Sequence, residues 1–327
     1  MVSEIFTQTN IAVIWDFDKT LIPGYMQEPL FRHYGVDGRK FWKEVNSLPK
    51  YLRREGQEMV GEDSIYLNHI LAYVRAGIFK GLNNRLLRKL GSELQFYPGL
   101  PEFFPAVKQH VAKNPNFSKY DIKVEHYIVS TGLRQMILGS KIAEHVDGIW
   151  ACEFVEMQLP PGYLEAGVPE LNEEDITIQD ISFVIDNTTK TRAIFEINKG
   201  VNKIGTIDVN THIPREDRRI PFQNMIYIAD GPSDVPVFSL INQNEGRTYG
   251  VYAKGAREEF AQVNELQKQG RIHSFGEANY EPNTQTYMWI MNAVDEIGKE
   301  IVKNREWVLS RRLGESPRHL DGQEEQE

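Results

Sequence analysis

The fold of this chain is decided by one stretch, Ile11-Ala12-Val13-Ile14-Trp15-Asp16-Phe17-Asp18-Lys19-Thr20-Leu21. Its apolar run, Ile11 to Trp15, is short and rich in β-branched residues. Such a run predicts a strand that is buried on both faces, as in a parallel sheet. Asp16 and Asp18 follow directly and therefore lie at the carboxyl end of the strand. In open α/β sheets this edge is where ligands bind.

The two carboxylates of this stretch lie one residue apart and repel each other unless a cation or a proton intervenes. Alternation along an extended segment points Asp16 and Asp18 the same way and turns Phe17 into the core. Mg²⁺ fits between them, because it is a hard cation that takes oxygen ligands. One carboxylate could then attack while the other moves a proton. A strand followed by an Asp-rich turn is the alternative interpretation, since Asp-x-Asp is common.

Composition indicates an ordinary globular protein and excludes several classes of function. The chain has 327 residues, of which 41% are hydrophobic and 25% charged, so a large core with an inserted or appended unit is expected. The net charge of -9 disfavours a nucleic-acid partner. Cys152 is the only cysteine, which excludes an internal disulfide and zinc sites with several cysteine ligands. The chain shows no apolar signal core and no long apolar span, so we expect a cytoplasmic protein without a membrane partner.

A mainly helical segment follows the first strand. Helical periodicity predicts helices over Glu28 to Tyr34, Arg39 to Leu48, Asp63 to Ile78 and Asn83 to Leu90. We interpret this segment as an inserted helical cap and divide the chain by residue number: core 1–23, cap 24–96, core 97–311 and a flexible tail 312–327.

The α/β pattern returns after Tyr97-Pro98-Gly99, with a helix predicted over Pro101 to Ala112 and a second buried strand over Val124 to Val129. That strand is followed by Ser130-Thr131-Gly132 and by a helix predicted over Arg134 to Glu144. Hydroxyls and backbone amides before a helix N-terminus can cradle a phosphate. Plain helix capping by Ser130 or Thr131 is the alternative.

A hairpin and a lysine come next. Strands are predicted over Ile149 to Val155 and Ile181 to Ile185, separated by the acidic loop Glu173-Glu174-Asp175. Asp186-Asn187-Thr188-Thr189 then provides helix-start chemistry, and Lys190 opens a helix that extends to Asn198. A lysine in a first turn opposes the helix dipole and therefore favours an anionic partner. A solvated surface lysine is the alternative.

The last clear buried strand, Met225 to Ala229, leads into Asp230-Gly231-Pro232-Ser233-Asp234. Carboxylates again lie at the carboxyl end of a strand, although an Asx turn in a βα loop would look alike. A further strand is predicted over Thr248 to Tyr252. Helices are predicted over Ala256 to Gln269 and over Tyr287 to Val302.

With these residues in order, the chain resembles the haloacid dehalogenase (HAD) superfamily, and within it the phosphoserine-phosphatase-like branch. Asp16-Phe17-Asp18-Lys19-Thr20 is similar to the DxDx[TV] signature, and Ser130-Thr131-Gly132 is similar to the hydroxyl motif. Lys190 precedes Asp230-Gly231-Pro232-Ser233-Asp234, which is similar to the acidic DGxxD motif. The resemblance covers roughly residues 10–255. It implies an α/β fold: a three-layer Rossmann-like core with a mainly parallel sheet and an inserted α-helical cap.

The resemblance also implies roles for these residues. Asp16 would be the nucleophile that forms an aspartyl-phosphate, and Asp18 would be the general acid and base. Lys190 would neutralise developing charge, although Lys199 and Lys203 lie nearby in the sequence. Mg²⁺ would be the cofactor, held by Asp16, the Asp18 backbone, Asp230 and Asp234. Ser130, Thr131 and Gly132 would hold the phosphoryl group.

The function implied is a Mg²⁺-dependent phosphatase that acts on a small phosphorylated metabolite. A phosphotransferase of the same fold and a catalytically idle binding protein are the alternatives. Met26, Gln27 and Glu28 follow the first motif closely and could face the site. Of these, Glu28 stands near the place where phosphoserine phosphatases read the substrate amine, although the local pattern differs. The arginines of the cap could meet a carboxylate or be solvated. The cap aromatics could enclose a quaternary ammonium group or form the cap core; they are Phe31, Tyr34, Trp42, Tyr51, Tyr66 and Tyr73.

Overall fold

The structure is a computed structural model that describes residues 8–167 and 176–312. The predicted acidic loop, Glu173-Glu174-Asp175, lies outside the described residues, as does the predicted tail except for Arg312. Within the described ranges, no helix combines the length and the apolar character that crossing a lipid bilayer requires.

A seven-stranded sheet forms the centre of the molecule, with strand order β4-β3-β2-β1-β5-β6-β7. Neighbouring strands run parallel except for the β3–β4 pair, which is antiparallel. The strands are β1 (Asn10–Trp15), β2 (Lys123–Leu133), β3 (Gly148–Val155), β4 (Asp180–Phe183), β5 (Met225–Ala229), β6 (Arg247–Tyr252) and β7 (Ser274–Glu277). The predicted α/β fold with a mainly parallel sheet is therefore confirmed, and so is the predicted hairpin.

The first strand lies in the middle of the sheet because both of its faces are apolar. Ile11, Val13 and Trp15 are fully buried in one hydrophobic core cluster, and Ala12 and Ile14 are fully buried in the other. This alternation is the two-residue period of an extended strand. β1 pairs with β2 on one side and with β5 on the other. The carboxyl ends of these three strands therefore meet at one edge.

Twelve α-helices are described alongside the strands. They are α1 (Glu28–Tyr34), α2 (Gly38–Arg54), α3 (Ile65–Arg75), α4 (Asn84–Gly91), α5 (Phe103–Lys113), α6 (Pro115–Ser118), α7 (Arg134–Gly139), α8 (Tyr163–Ala166), α9 (Lys190–Lys199), α10 (Val235–Gln243), α11 (Arg257–Lys268) and α12 (Gln285–Arg312). Helices α1 to α4 occupy the segment predicted to be the cap. The division of the chain into core and cap stays a prediction.

Helices α4 and α7 approach each other through two glycines. A Cβ on Gly91 would lie 2.0 Å from the Met136 carbonyl oxygen, and one on Gly139 would lie 1.8 Å from the Arg88 carbonyl oxygen. Real Cβ atoms do not reach such distances, so both positions require glycine. The last helix of the predicted cap segment thus packs backbone to backbone against a helix that follows β2.

Several predictions about element ends are wrong. Helix α2 continues to Arg54 rather than Leu48, and α12 continues to Arg312 rather than Val302. The second strand does not stop at Val129 but continues to Leu133, with an irregularity in its pairing to β3. The helix after it ends at Gly139 rather than Glu144, since Ser140 takes an extended conformation. The short strand β7 was not predicted, since its sequence Ser274-Phe275-Gly276-Glu277 contains no apolar run.

Candidate active site

Three aspartates meet where β1 and β5 end. Asp16 follows β1, and its backbone N–H donates to the Ile228 carbonyl of β5 at 2.9 Å. Asp230 follows β5, and Asp234 lies one turn further along the chain. Each of the three aspartates offers a carboxylate oxygen within 4.8 Å of the others. The parallel pairing of two central strands thus brings together residues more than two hundred positions apart.

Lys190 joins this group as the first residue of α9. Its Nζ lies 2.8 Å from Asp16 Oδ1 and 2.6 Å from Asp234 Oδ1, and the side chain is buried. The other lysines considered lie elsewhere: Lys199 Nζ donates to the carbonyls of residues 209 and 211, and Lys203 Nζ donates to that of residue 147. Lys190 is therefore the lysine of this site, and two carboxylates compensate its unfavourable place in a first helical turn.

Asp234 is fully buried, and its carboxylate accepts three hydrogen bonds. Besides Lys190, the hydroxyl of Tyr227 donates to its Oδ1, and the hydroxyl of Ser233 donates to its Oδ2 at 2.9 Å. Such a carboxylate is suited to holding the lysine in place. Tyr227 belongs to β5 and was interpreted from the sequence only as part of a buried strand, because a tyrosine in an apolar run gives no separate signal.

The aspartates at the strand ends have raised pKa values. Burial raises the pKa of Asp16 to about 6, and the nearby ammonium of Lys190 opposes that rise. Burial, followed by the negative charges of Asp16 and Asp234, raises the pKa of Asp230 to about 8. Burial and the charge of Asp16 raise the pKa of Asp18 well above its usual range. The site thus holds more negative charge than its lysine compensates.

This donor set fits a divalent cation. The oxygens are carboxylates, which Mg²⁺ prefers, and their mutual repulsion is what a cation between them would relieve. Asp16, Asp230 and Asp234 could all contribute to it, and Asp234 has the fewest acceptor positions left because it already accepts three hydrogen bonds. The Asp18 carboxylate is not part of this cluster and accepts the N–H of Met26 at 3.0 Å.

The hydroxyl motif lies inside β2, contrary to the prediction that it follows the strand. The helix α7 has Leu133 at its N-cap and no side-chain cap, so neither hydroxyl caps it. Ser130 is buried, and its Oγ accepts the N–H of Gly132 at 3.0 Å. A Cβ on Gly132 would lie 2.1 Å from Met26 Cε, so a larger residue there would have to displace the end of the Met26 side chain. Thr131 and Gly132 line the same cavity as Asp16.

This cavity has a volume of about 280 Å³ and lies between the carboxyl ends of the strands and the helices α2 and α3. Glu28 does not line it. It is exposed at the start of α1, and the preceding residue, Gln27, lines the cavity instead. The lining residues are Asp16, Asp18, Lys19, Tyr25, Gln27, Trp42, Asp63, Tyr66, Thr131, Gly132, Asn187, Lys190, Asp230 and Ser233.

Sequence reasoning missed several of these lining residues as members of a site. Lys19 and Ser233 stand next to predicted site residues, and Asn187 lies three residues before Lys190, so proximity in the sequence could have found them. Gln27 was expected as a residue that could face the site. Asp63 carries no comparable signal, because it is a single polar residue before a helix. Trp42 and Tyr66 were considered only among the aromatics of the cap.

Comparisons with known proteins give one close relative and several similar folds. No family model matches the chain. It is 41% identical over 294 residues to an uncharacterized protein of Borreliella burgdorferi, a match that covers 87% of this chain and 96% of the relative. Identity and coverage this high show common family membership.

The similar solved structures are more distant. A HAD family hydrolase from Salmonella enterica serovar Typhi is similar with a TM-score of 0.47 and 15% identity, over 82% of this chain and 66% of that structure. A phosphoserine phosphatase with a phospho-aspartyl intermediate analogue is similar with a TM-score of 0.42 and 17% identity, over 80% of this chain and 99% of that structure.

The motifs of the chain lie together at the carboxyl edge of one mainly parallel sheet. That placement is the one expected from the motif order in the sequence. The chain therefore belongs to the family of the Borreliella protein, and its fold is an α/β fold with a mainly parallel sheet.

Proposed function

We propose that this protein is a Mg²⁺-dependent phosphomonoester hydrolase that acts on a small phosphorylated metabolite through an aspartyl-phosphate. One observation carries the proposal: Asp16, Lys190, Asp230 and Asp234 converge from separate parts of the chain on one cavity edge. A strand with an Asp-rich turn would have no need for a buried lysine between two of these carboxylates.

Asp16 is the proposed nucleophile. Its Oδ1 faces Lys190 Nζ at 2.8 Å, and its Oδ2 accepts the hydroxyl of Thr20 at 3.3 Å. The ammonium favours the ionised carboxylate, which is the form that can attack phosphorus. Mg²⁺ held by Asp16 and Asp230 would screen the anionic nucleophile from the anionic phosphoryl group. Attack forms the Asp16–phosphate bond and breaks the bond between phosphorus and the leaving oxygen.

Asp18 is the proposed general acid and base. Its raised pKa favours the protonated form near neutrality, and a protonated carboxyl can donate to the leaving oxygen. The resulting carboxylate can then accept a proton from the water that hydrolyses the aspartyl-phosphate. Asp16 thus acts as the ionised nucleophile and Asp18 as the protonated acid, because their environments favour different protonation states. Lys190 stays protonated and lies where charge develops on the phosphoryl oxygens.

The proposal predicts Mg²⁺-dependent release of phosphate from p-nitrophenyl phosphate. Asp16→Asn should reduce turnover by at least about a thousandfold, because the amide cannot form the covalent intermediate. Lys203→Met is a matched control, since Lys203 is exposed and lies outside the cavity. Undiminished activity of Asp16→Asn would contradict the mechanism. Phosphate transfer to added alcohols, with little free phosphate, would indicate a phosphotransferase. Tight ligand binding without release would indicate an idle fold.

A further inference from the structure

One wall of the cavity is aromatic. Tyr25, Trp42 and Tyr66 line it together with the catalytic aspartates. The ring centroids of Tyr25 and Trp42 are 5.4 Å apart, and those of Trp42 and Tyr66 are 5.7 Å apart. The three rings therefore form a continuous surface, which we call the aromatic wall.

The aromatic wall is distinct from the aromatic core of the same helices. Phe31, Phe41 and Phe79 are essentially fully buried, whereas Tyr25 is 44% exposed and Trp42 is half-buried. The sequence analysis grouped Phe31, Trp42 and Tyr66 together. In the structure, Trp42 and the 5%-exposed Tyr66 border the cavity, whereas Phe31 does not. Only the rings that border the cavity can contact a bound molecule.

The ring of Tyr25 already attracts a cation. Lys19 Nζ lies 5.3 Å from its centroid, which is within the range of a cation–π interaction. The same ammonium lies 3.8 Å from Glu259 Oε1, so a carboxylate of the protein compensates its charge. Because Glu259 compensates the charge of Lys19, a second cation could bind to the rings of the aromatic wall with little repulsion from this lysine.

The polar groups beside the aromatic wall include one acceptor and one donor without hydrogen-bond partners among the described residues. Gln27 is only 2% exposed, and its Oε1 has no hydrogen-bond partner among the described residues. Trp42 Nε1 is likewise buried without a partner and suits an oxygen of a bound ester. Asp63 contributes an exposed carboxylate to the rim. An amide oxygen, a carboxylate and ring faces all favour a positively charged nitrogen.

The described residues that line the cavity offer no free cationic partner for a carboxylate of a bound molecule. Of the described residues that line the cavity, none is an arginine. Arg53 and Arg54 of α2 form ion pairs outside the cavity, with Glu62 and Glu55, and the third arginine of this helix, Arg39, is exposed and does not line it. The lining lysines, Lys19 and Lys190, each have acidic partners. The carboxylate of a phosphorylated amino acid would thus be desolvated without a cationic partner, which is costly.

From these contacts we propose that the substrate is a phosphate monoester of a small alcohol that carries an ammonium group and no carboxylate. This inference rests on the phosphatase activity proposed above and names its substrate class. The cavity volume of about 280 Å³ lies at the lower end of ligand pockets, in agreement with a short alcohol. Primary and quaternary ammonium groups share this chemistry, and the experiment distinguishes them.

The test compares charged esters with neutral esters of the same shape. Phosphocholine is paired with 3,3-dimethylbutyl phosphate, and phosphoethanolamine is paired with propyl phosphate. We expect kcat/KM to be about 3- to 30-fold higher for the charged member of at least one pair, as a cation–π contact of ordinary strength provides. The pair with the larger ratio identifies the ammonium type. Phosphoserine should be a poorer substrate than phosphoethanolamine, because it adds a carboxylate.

A matched pair of variants assigns the preference to the aromatic wall. Trp42→Leu should bring the charged-to-neutral ratio close to one. Tyr51→Leu makes the same kind of change on the same helix at a ring outside the cavity, and should leave the ratio unaltered. The ratio is measured within one protein sample, so a lower folded fraction of a variant cancels.

Each remaining outcome overturns the inference in a recognisable way. Equal kcat/KM for charged and neutral esters, with phosphate released from both, refutes the ammonium site while the phosphatase activity stands. A preference for phosphoserine over phosphoethanolamine refutes the exclusion of carboxylates. No phosphate release from any ester, including p-nitrophenyl phosphate, refutes the proposed function and this inference together.

Discussion

Replacing Lys190 by methionine should destabilise the protein strongly. The substitution keeps an unbranched side chain of similar length but removes the ammonium that lies 2.8 Å from Asp16 and 2.6 Å from Asp234. Two buried carboxylates then lack a counter-charge. Removing one partner of a buried ion pair costs about 3–5 kcal/mol. Since domains are stable by only about 5–15 kcal/mol, the variant should be close to its folding limit.

The loss of stability in Lys190→Met should grow as the pH rises. Without Lys190, the pKa of Asp16 in the folded state rises further above its unfolded value of 3.8. The folded state then binds more protons than the unfolded state, so its stability falls as the pH rises through that window. Urea denaturation with a chelator present should therefore show a larger loss at pH 8 than at pH 5.

Two further variants make the measurement decisive. Lys190→Met/Asp234→Asn should recover part of the lost stability, because one of the two orphaned charges is removed. Lys203→Met should change the unfolding free energy by less than about 0.5 kcal/mol, since Lys203 is exposed and contacts only one carbonyl oxygen. A loss below about 1 kcal/mol for Lys190→Met at pH 8 would refute the reasoning, since that is the value of an exposed pair.

Two other predictions concern the core. Burial lowers the pKa of His126 to about 3, and its neutral ring accepts from Trp15 Nε1 and donates to the Phe104 carbonyl. The unfolded state therefore binds the extra proton below pH 6.5, and stability should fall by about 2 kcal/mol between pH 7 and pH 5. His126→Gln should lack this part of the slope in urea denaturation; equal slopes would contradict it. Gly91→Ala should cost about 1–3 kcal/mol because its Cβ meets the Met136 carbonyl. An unchanged denaturation midpoint would show that α4 and α7 can separate freely.

The sequence predicted the central elements well because their signals are local. The bounds of α1 and β5 match the prediction, and β1 and α9 differ from it by one residue at one end. Apolar runs followed by turn residues determine such elements without help from distant parts of the chain. The edge at which Asp16, Lys190 and Asp230 meet could also be predicted, since parallel strands present their carboxyl ends on the same side.

The remaining features depend on contacts that a sequence does not display. Ser130 was expected after its strand, but the strand continues to Leu133, which pairs with Cys152 of β3 after an irregularity in the register. Glu28 was favoured as a substrate contact for its charge, yet the start of α1 turns it outward and leaves Gln27 inside. Which ring of a helix borders a cavity is decided by tertiary packing alone.

The glycine contact between α4 and α7 limits which part of the molecule can open. Because their backbones touch, α4 must travel with the sheet, whatever the rest of the 24–96 segment does. Any opening that admits a substrate would then fall to α1, α2 and α3, and it would have to break the hydrogen bond from the Tyr66 hydroxyl to the Thr131 carbonyl of β2, which is 2.6 Å long. Trp42 and Tyr66 belong to α2 and α3, so such an opening would also move two rings of the aromatic wall.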